Sequence, residues 1–354
     1  MMIMKKILRT AVSGLGRIAW DFHLPQLCRH AGFEPVAVVD PCRERLAEAA
    51  SRFGVGGVYT DFKTMLDEQR PDLVVIASPT LFHAEQAIAA MQADCDVFCD
   101  KPLSVTLTEA EAMLQAARRT GRRLMTYQPH RLNGEARTVR AILDSGKLGK
   151  LYLIERHVSN YCRRNDWQAF YRNGGGMLLN YGAHYIDQFL YLTGGKVRRT
   201  RCELRRIASL GDADDVVHAL ITTTAGVLLD LDINQAVALP LPEWRICGER
   251  GSALYQDGEW RLRYFAAGAL PERKADTGLA AAGRRYPSEP IAWRQETLPE
   301  SPADPDAYYR CCYEHYALGR PPFVTGDELL ELMRTLDECR RSAGELEAEP
   351  ALHC

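Results

Sequence analysis

Between Lys6 and about Tyr127, short β-branched runs alternate with helical patterns, and this alternation limits the possible folds more than any other feature of the sequence. The candidate strands are residues 6–12, 35–39, 72–77, 96–99 and 122–126. The amphipathic stretches between them are long enough to be the crossovers that parallel strands require. Such βαβ units predict an α/β fold, a doubly wound parallel sheet of the Rossmann type with right-handed crossovers.

A glycine turn follows the first strand directly and opens a helix, with the sequence Gly14-Leu15-Gly16-Arg17-Ile18-Ala19. Gly14 permits a tight turn, and Gly16 lets the backbone approach a pyrophosphate. The helix N-terminus adds free N–H groups that favour an anion. This context predicts a dinucleotide site at Gly14, Gly16, Arg17 and Ile18, although a glycine turn without a ligand is the structural alternative.

Asp40 ends the second strand, where an acidic side chain would meet the adenosine ribose of a dinucleotide. A carboxylate there repels a 2′-phosphate, so the sequence favours NAD over NADP. Asp40 followed by Pro41 is also a good helix N-cap, and both roles can coexist. Arg43 and Arg45 could pair a 2′-phosphate, which leaves NADP as the alternative cofactor.

After Pro129 the pattern changes to a second region with a helix at 135–143, a strand at 151–158 and a helix ending at Leu192. Several strand-like runs with hairpin breaks follow from Val197 to Phe265. This order predicts an α+β domain with an open, largely antiparallel sheet. We therefore expect a Rossmann domain at 1–127 and a substrate and oligomerisation domain at 128–354.

The end of the chain combines an irregular segment with helical patterns. Residues 267–305 are rich in Ala, Gly and Pro, which favours a long surface excursion that could serve as a lid or an oligomer contact. Two helices, at about 304–317 and 326–344, are expected to close the chain.

Composition excludes several classes of protein. The formal net charge of -2 provides no basic field for a nucleic acid, and no segment is long enough to span a bilayer. The 11 cysteines form no Cys-x-x-Cys pair, and several lie in apolar runs, as free thiols do. We expect reduced cysteines, a cytoplasmic protein and no partner among nucleic acids or membranes. No cluster of His, Cys or carboxylates has metal-ligand spacing, so no metal site is expected.

Three motifs in this order resemble one known family. They are ASPTLFH at 77–83, CDKPL at 99–103 and GGGMLLNYGAHYID at 174–187. Weaker matches lie at 23–25, 144–149, 248–252 and 319–322. Together they resemble the glucose-fructose oxidoreductase, inositol dehydrogenase and rhizopine-catabolism (Gfo/Idh/MocA) family over nearly the whole chain.

The resemblance implies NAD(P)-dependent oxidation or reduction at a hydroxyl or carbonyl carbon of a sugar, a polyol or a sugar derivative. It also implies a homodimer or homotetramer assembled through the second sheet. By matching position it places Ser78, Pro79, Thr80 and His83 in the dinucleotide groove. The complete set of expected cofactor-binding residues is Gly14, Gly16, Arg17, Ile18, Asp40, Ser78, Pro79, Thr80, His83, Asp100, Lys101 and Gln128.

Two positions depart from the family pattern. Asp100 replaces the usual Glu before the Lys-Pro pair, and Asn180 stands where many members carry Asp. The shorter Asp100 is tolerable if it only hydrogen-bonds the cofactor or the backbone. Asn180 cannot ionise, so it can orient a substrate hydroxyl but cannot act as a base.

Hydride transfer to nicotinamide requires a general base for the hydroxyl proton. Histidine is the usual base near neutral pH, and a desolvated lysine can share the proton, so we predict His184 as base with Lys101 assisting. If residues 177–193 form a helix, Asn180, His184, Asp187 and Tyr191 share one face. The structural alternatives are a solvated lysine, a packed histidine, and polar residues that only brace the helix.

A polar and aromatic cluster on a predicted loop supplies candidate substrate residues, namely Tyr161, Arg163, Arg164 and Trp167, with Asp187 from the helix. Its arginines would suit a carboxylate or phosphate, but a solvated charged loop is equally consistent with the sequence. Two other functions remain open. One is a glycosidase or lyase that retains NAD without net redox change, and the other is a non-enzymatic dinucleotide-sensing regulator.

Overall fold

The computed structural model describes residues 6–275, 277–279 and 289–344 of the chain. Its first part is a six-stranded, all-parallel sheet with strand order β3-β2-β1-β4-β5-β6. The strands are β1 Leu8–Ser13, β2 Phe33–Val39, β3 Gly57–Tyr59, β4 Leu73–Ile76, β5 Asp96–Cys99 and β6 Leu124–Thr126. The helices are α1 Leu24–Arg29, α2 Arg43–Phe53, α3 Phe62–Gln69, α4 His83–Gln92 and α5 Leu107–Thr120.

The central strands of this sheet are buried on both faces, as expected for a parallel sheet covered by helices. Every residue of β4 and of β5 is buried. The strand order reverses between β1 and β4, and ligands of such sheets bind at this switch point, outside the carboxyl ends of the strands. The predicted Rossmann-type sheet is thus confirmed.

The second part of the chain forms an eight-stranded mixed sheet with strand order β14-β13-β12-β11-β7-β10-β9-β8. All neighbouring strands are antiparallel except β10 and β7, which confirms the largely antiparallel prediction. The strands are β7 Leu151–Ser159, β8 Val197–Arg205, β9 Val216–Thr223, β10 Leu228–Asn234, β11 Trp244–Gly248, β12 Gly251–Gln256, β13 Glu259–Tyr264 and β14 Arg294–Pro299.

Four helices accompany this sheet: α6 Gly134–Asp144, α7 Ala183–Thr193, α8 Ala307–Leu318 and α9 Gly326–Ser342. Helix α8 also packs against the first sheet, and α9 contacts both β6 of the first sheet and β8 of the second. The Tyr316 hydroxyl donates to the backbone oxygen of Val97, and Arg123 donates to the backbone oxygen of His315 at 2.7 Å. The end of the chain therefore holds the two sheets together.

The expectation of an irregular excursion over 267–305 needs correction. Residues 294–299 form β14, which pairs with β13 along its whole length and lengthens the sheet by one strand. Residues 276 and 280–288 of the predicted lid or oligomer contact lie outside the described residues. The strand was missed because its sequence, Arg-Gln-Glu-Thr-Leu-Pro, is mostly polar, and it forms because the edge of β13 supplies it with backbone partners.

Candidate active site

The glycine turn lies at the carboxyl end of β1, where the backbone passes close to the loop that follows β4. Gly14 has φ +87°, and a Cβ at this position would lie 2.5 Å from backbone atoms of Ser78. A Cβ on Gly16, in contrast, would meet no atom within 4 Å among the described residues. The backbone of the turn is therefore packed against the loop after β4 at Gly14, whereas space is available beside Gly16. Arg17 and Ile18 follow as the first helical residues.

Asp40 is buried at the end of β2 and ties this turn to the next loop. Its carboxylate accepts hydrogen bonds from the backbone amides of Leu15 at 2.8 Å and Cys42 at 2.9 Å. Arg45 lies 3.8 Å from the same carboxylate. The sequence allowed Asp40 as the N-cap of α2, but the helix begins at Arg43 and its N-cap is Cys42. A negative charge nonetheless stands beside the glycine turn.

The loop after β4 supplies the opposite wall of the groove. The buried imidazole of His83 lies 2.8 Å from the backbone oxygen of Ser78 and 2.9 Å from that of Pro102, so it joins the loops after β4 and β5. Burial lowers the pKa of His83 despite the nearby Asp100 carboxylate. Pro79 and Thr80 lie between these contacts, and Thr80 is buried. His83 thus shapes the groove from behind.

Gln128 follows β6 and is completely buried, yet neither its Oε1 nor its Nε2 has a hydrogen-bond partner within the described part of the chain. A buried amide without partners costs free energy unless a ligand satisfies it. The residues present therefore fit a dinucleotide along this edge of the sheet. The open glycine turn, Asp40 and the unpartnered amide are the features that such a ligand would use.

Lys101 lies after β5, and its peptide bond to Pro102 is cis. Its Nζ donates to the backbone oxygen of Asn180 at 2.8 Å and to the Asn180 Oδ1 at 3.0 Å. Burial is the main reason that the pKa of Lys101 falls to about 8, and the charges of Arg17 and Arg164 lower it further against the opposing Asp100. A lysine with this pKa exists in both protonation states near neutral pH.

Asp100 itself holds the backbone at this point, since its carboxylate accepts the amide of Lys101 at 2.7 Å. The short side chain thus contacts the backbone of the next residue. Its negative charge opposes the fall in the pKa of Lys101.

His184 lies near Lys101 at the start of α7 and stacks in parallel on His130, with ring centroids 3.9 Å apart and an interplanar angle of 9°. Neither Nδ1 has a hydrogen-bond partner among the residues described. Burial, followed by the charges of His130 and Lys101, lowers the pKa of His184 well below its usual value. Both rings are therefore neutral at physiological pH. His130 did not stand out in the sequence because no motif contains it.

The predicted helix over 177–193 starts with a π-helical segment at Leu178–Gly182 before α7 begins. The wider turn breaks the periodicity on which the single predicted face depended. Asn180 and His184 lie beside Lys101, whereas Asp187 forms a buried ion pair with Arg131 at 2.7 Å. Tyr191 also contacts Arg131, which lies 5.0 Å from its ring centroid. The helix therefore carries two separate polar groups.

The segment that carries Arg163 and Arg164 is connected to Lys101 and Asn180 through Gln168, a residue that the sequence analysis missed. Arg164 donates to the Oε1 of Gln168, which also accepts the Asn180 Nδ2 at 3.1 Å. Gln168 follows the predicted cluster directly, but no spacing rule distinguished it. Tyr161, Arg163 and Trp167 are exposed on the same loop.

Comparison with known proteins bears on this arrangement. Residues 8–128 match the model of an oxidoreductase family with an NAD-binding Rossmann fold, and residues 136–254 match the C-terminal domain of the same family, GFO/IDH/MocA. The chain belongs to the GFO/IDH/MocA oxidoreductase family. This membership confirms the resemblance seen in the motifs and identifies NAD as the cofactor.

Two curated relatives are named as dehydrogenases. D-glucoside 3-dehydrogenase of Escherichia coli is 32% identical over 190 residues, which are 53% of this chain and 54% of the relative. Inositol 2-dehydrogenase of Streptomyces avermitilis is 28% identical over 315 residues, 86% of this chain and 88% of the relative. The chain spans about half the length of several curated relatives that it matches.

A solved structure of an NAD-binding protein from Listeria innocua has the same fold as this GFO/IDH/MocA chain. It superimposes with a TM-score of 0.82 at 22% identity and covers 96% of this chain and 95% of its own. No helix in the described ranges is both apolar and long enough to traverse a lipid bilayer. Within the same ranges, no three His, Cys, Asp or Glu side chains are grouped as metal ligands would be.

Proposed function

We propose that the protein is an NAD-dependent dehydrogenase that acts on a hydroxyl or carbonyl carbon of a sugar, polyol or sugar derivative. The observation that carries the proposal is the position of Lys101. Asn180 holds its Nζ by two hydrogen bonds, its pKa is lowered to about 8, and it lies beside the neutral His184 at the NAD-binding edge of the sheet. The named activities of the two curated dehydrogenases agree with this class of substrate.

The residues of the groove have distinct roles in holding the cofactor. Gly14 and Gly16 admit the pyrophosphate to the helix N-terminus, and the carboxylate of Asp40 favours a ribose without a 2′-phosphate. Gln128 supplies an amide with free donor and acceptor capacity. Bound NAD supplies the acceptor for the hydride that leaves the carbinol carbon.

The chain itself must take the hydroxyl proton. The sequence favoured His184 as the base, but the strongly lowered pKa of His184 makes its imidazole a weak proton acceptor. Neutral Lys101 is the stronger base near pH 8. In the proposed oxidation the substrate O–H bond breaks and its proton forms a new N–H bond on Lys101. His184 orients the same hydroxyl through its free imidazole nitrogen.

Arg164 extends the site toward the substrate side. Its guanidinium lies near enough to Lys101 to lower the pKa of that lysine, and Asp166 holds it at 3.0 Å. Tyr161, Arg163 and Trp167 lie on the exposed part of the same loop and would contact the distal part of the substrate. We assign Asp187 to the support of the helix, because its carboxylate is engaged by Arg131.

The resemblance also supports association of identical chains through the eight-stranded sheet. The apolar side chain of Leu220 is 39% exposed on β9. Light scattering of the purified protein should give the mass of a dimer or tetramer. A monomer at all concentrations would contradict this part of the proposal.

The test is a screen of sugars, inositols, sugar acids and nucleotide sugars for NADH formation by the purified protein with added NAD. With the best substrate, Lys101→Met and His184→Gln should each lower kcat by about 100-fold or more, the usual range for loss of an acid–base group. Gln115→Leu, which changes an exposed side chain of α5, is the matched control.

The screen also separates the two other functions. Turnover of a glycoside without net NADH, by protein that retains NAD through purification, would show the retained-cofactor reaction. NAD binding without turnover of any compound would favour the regulator. Either outcome would contradict the dehydrogenase.

A further inference from the structure

Gln168 lies at the centre of a chain of hydrogen bonds that ends on Lys101. Its Oε1 accepts from Arg164 Nη1 and, at 3.1 Å, from the Nδ2 of Asn180. The Oδ1 of Asn180 in turn accepts from the Nζ of Lys101 at 3.0 Å. Two neutral amides thus connect two cationic side chains.

The direction of this chain follows from the chemistry of its ends. A guanidinium and an ammonium group can only donate hydrogen bonds. Arg164 must therefore face the oxygen of Gln168, and Lys101 must face the oxygen of Asn180. The Nδ2 of Asn180 is then left to donate to Gln168, as observed. Only one orientation of each amide satisfies every contact.

This orientation matters most when Lys101 is neutral. A neutral amine has two N–H groups and one lone pair. The backbone oxygen and the Oδ1 of Asn180, at 2.8 and 3.0 Å, can take the two hydrogens, which leaves the lone pair for a substrate hydroxyl. If the amide of Asn180 turned over, its Nδ2 would donate to the lone pair and block it.

We propose that Gln168 is a positioning residue that holds the carbonyl of Asn180 on Lys101 and thereby keeps the lysine lone pair free for the substrate. Turning the Asn180 amide would bring its Nδ2 to Lys101 and its Oδ1 against the Oε1 of Gln168. Gln168 opposes this because its Oε1, which Arg164 holds in place, and the Oδ1 of Asn180 are both acceptors. Asn180 and Gln168 depend on each other in this arrangement, since an aspartate at position 180 could not donate a hydrogen bond to the Oε1 of Gln168. The kinetic part of this inference rests on the proposed function, but the orientation itself does not.

The charges around Lys101 define what a change at Gln168 should do. Asp100 raises the pKa of Lys101, whereas Arg17 and Arg164 lower it. His130 and His184 also interact electrostatically with the lysine and are neutral, because their pKa values are lowered. Loss of the Gln168 amide frees Asn180 to solvate neutral Lys101, which lowers the pKa of the lysine further. A glutamate at 168 keeps both acceptor contacts and adds a negative charge, which raises it.

The experiment measures the pH dependence of acetylation of Lys101 by trace acetic anhydride, read by peptide mass spectrometry on the full-length protein without substrate. We expect the apparent pKa of Lys101 to fall in Gln168→Leu and to rise in Gln168→Glu, with Gln115→Leu at the parent value. Thermal unfolding verifies that each variant is folded. Gln168→Glu keeps every acceptor, so it provides the sign test even if Gln168→Leu does not fold.

Kinetics with the best sugar substrate provide the second measurement. Gln168→Leu should lower kcat by about tenfold with little change in KM, the effect of one hydrogen bond that acts on the reacting group, and Gln168→Glu should restore kcat above its raised pKa. An unchanged pKa of Lys101 in both variants, or a shift in the same direction in both, would overturn the inference. If no sugar is oxidised, the proposed function fails while the acetylation measurement still decides the role of Gln168.

Discussion

The imidazole rings of His130 and His184 stack face to face at 3.9 Å, with Lys101 close to both. Burial, then the charges of Lys101 and Arg156, lowers the pKa of His130 to about 3. The pKa of His184 is lowered for the same main reason, and a second positive ring in the stack would repel the first. We therefore expect both histidines to be neutral between about pH 8 and pH 6.5, and His130, with its pKa lowered to about 3, to stay neutral down to about pH 5.

This first prediction is checked by ¹⁵N NMR of histidine-labelled protein. The ring nitrogens of both residues should keep neutral chemical shifts across these pH ranges, and His130→Gln and His184→Gln assign the signals by their loss. Titration of either ring near the ordinary histidine pKa would show that the stack is solvated.

The second prediction concerns the cost of holding a lysine at the centre of the site. Below about pH 8 Lys101 is charged in both the folded and the unfolded chain, so the folded state bears the full cost of burying the charge. Between about pH 8 and the unfolded value of about 10.4, the folded chain loses this proton first, and stability from this group rises with pH. Lys101→Met should therefore raise the free energy of unfolding by roughly 1–3 kcal/mol at pH 7.

Urea denaturation at several pH values measures this effect. The advantage of Lys101→Met over the parent should shrink as the pH rises from about 8 to 10. The substitution should lower kcat by about 100-fold or more at the same time, as expected when a catalytic group is kept at the expense of stability. A gain in stability that is independent of pH would point to packing rather than to the buried charge.

The third prediction separates structural from substrate roles on α7. Arg131 is buried, and Asp187 binds it through both carboxylate oxygens at 2.7 and 2.8 Å. Burial opposes the charge on Arg131, but the hydrogen bonds and charge of Asp187, with Glu328, outweigh it and raise its pKa. Asp187→Ala would leave this buried guanidinium with the partly exposed Glu328 as its remaining carboxylate partner among the described residues. We expect a loss of about 3–5 kcal/mol in the free energy of unfolding.

Chemical denaturation tests this with two controls. The surface pair of Arg341 and Asp337, also at 2.7 Å, should cost less than about 1 kcal/mol when broken. The double variant Arg131→Met/Asp187→Leu should recover much of the loss, because it removes both charges together. A normal stability of Asp187→Ala with a raised KM would return Asp187 to the substrate site.

The sequence predicted the elements that depend on neighbouring residues of the chain, and it missed those that depend on contacts with distant residues. β4 and β5 were found because each contains a run of consecutive buried apolar residues, four in β4 and three after Asp96 in β5, that local reasoning detects. β3 was missed because three residues beginning with glycine form a strand only when β2 lies alongside. The prediction that Asn180, His184, Asp187 and Tyr191 share one helix face was wrong, because the π-helical segment at Leu178–Gly182 rotates the later residues relative to the earlier ones.

The site shows the same limit more clearly. Lys101, Asn180 and His184 were found as motif residues, and the structure brings them together. His130 and Gln168 reach the same place from two short 3₁₀ turns, 54 and 12 residues away from their partners. Burial lowers the pKa of both Lys101 and His184, and no single motif encodes that burial.

The last prediction uses the two glycines of the turn as a matched pair. Gly16→Ala places a methyl group where no described atom lies within 4 Å, so the free energy of unfolding of the unliganded protein should change by less than about 1 kcal/mol. The same methyl group would occupy the open side of the turn and hold the pyrophosphate away from the backbone amides. NAD binding should therefore weaken by at least about tenfold.

Gly14→Ala should behave in the opposite way. Its methyl group would lie 2.5 Å from the backbone of Ser78, on a residue with φ +87°, so the turn and the loop after β4 must separate. We expect a loss of several kcal/mol, of the order seen for overpacking combined with backbone strain. Thermal unfolding and fluorescence titration with NADH measure the two effects separately. Equal stability of the two variants, or undiminished NADH binding by Gly16→Ala, would show that the cofactor does not approach the chain at this turn.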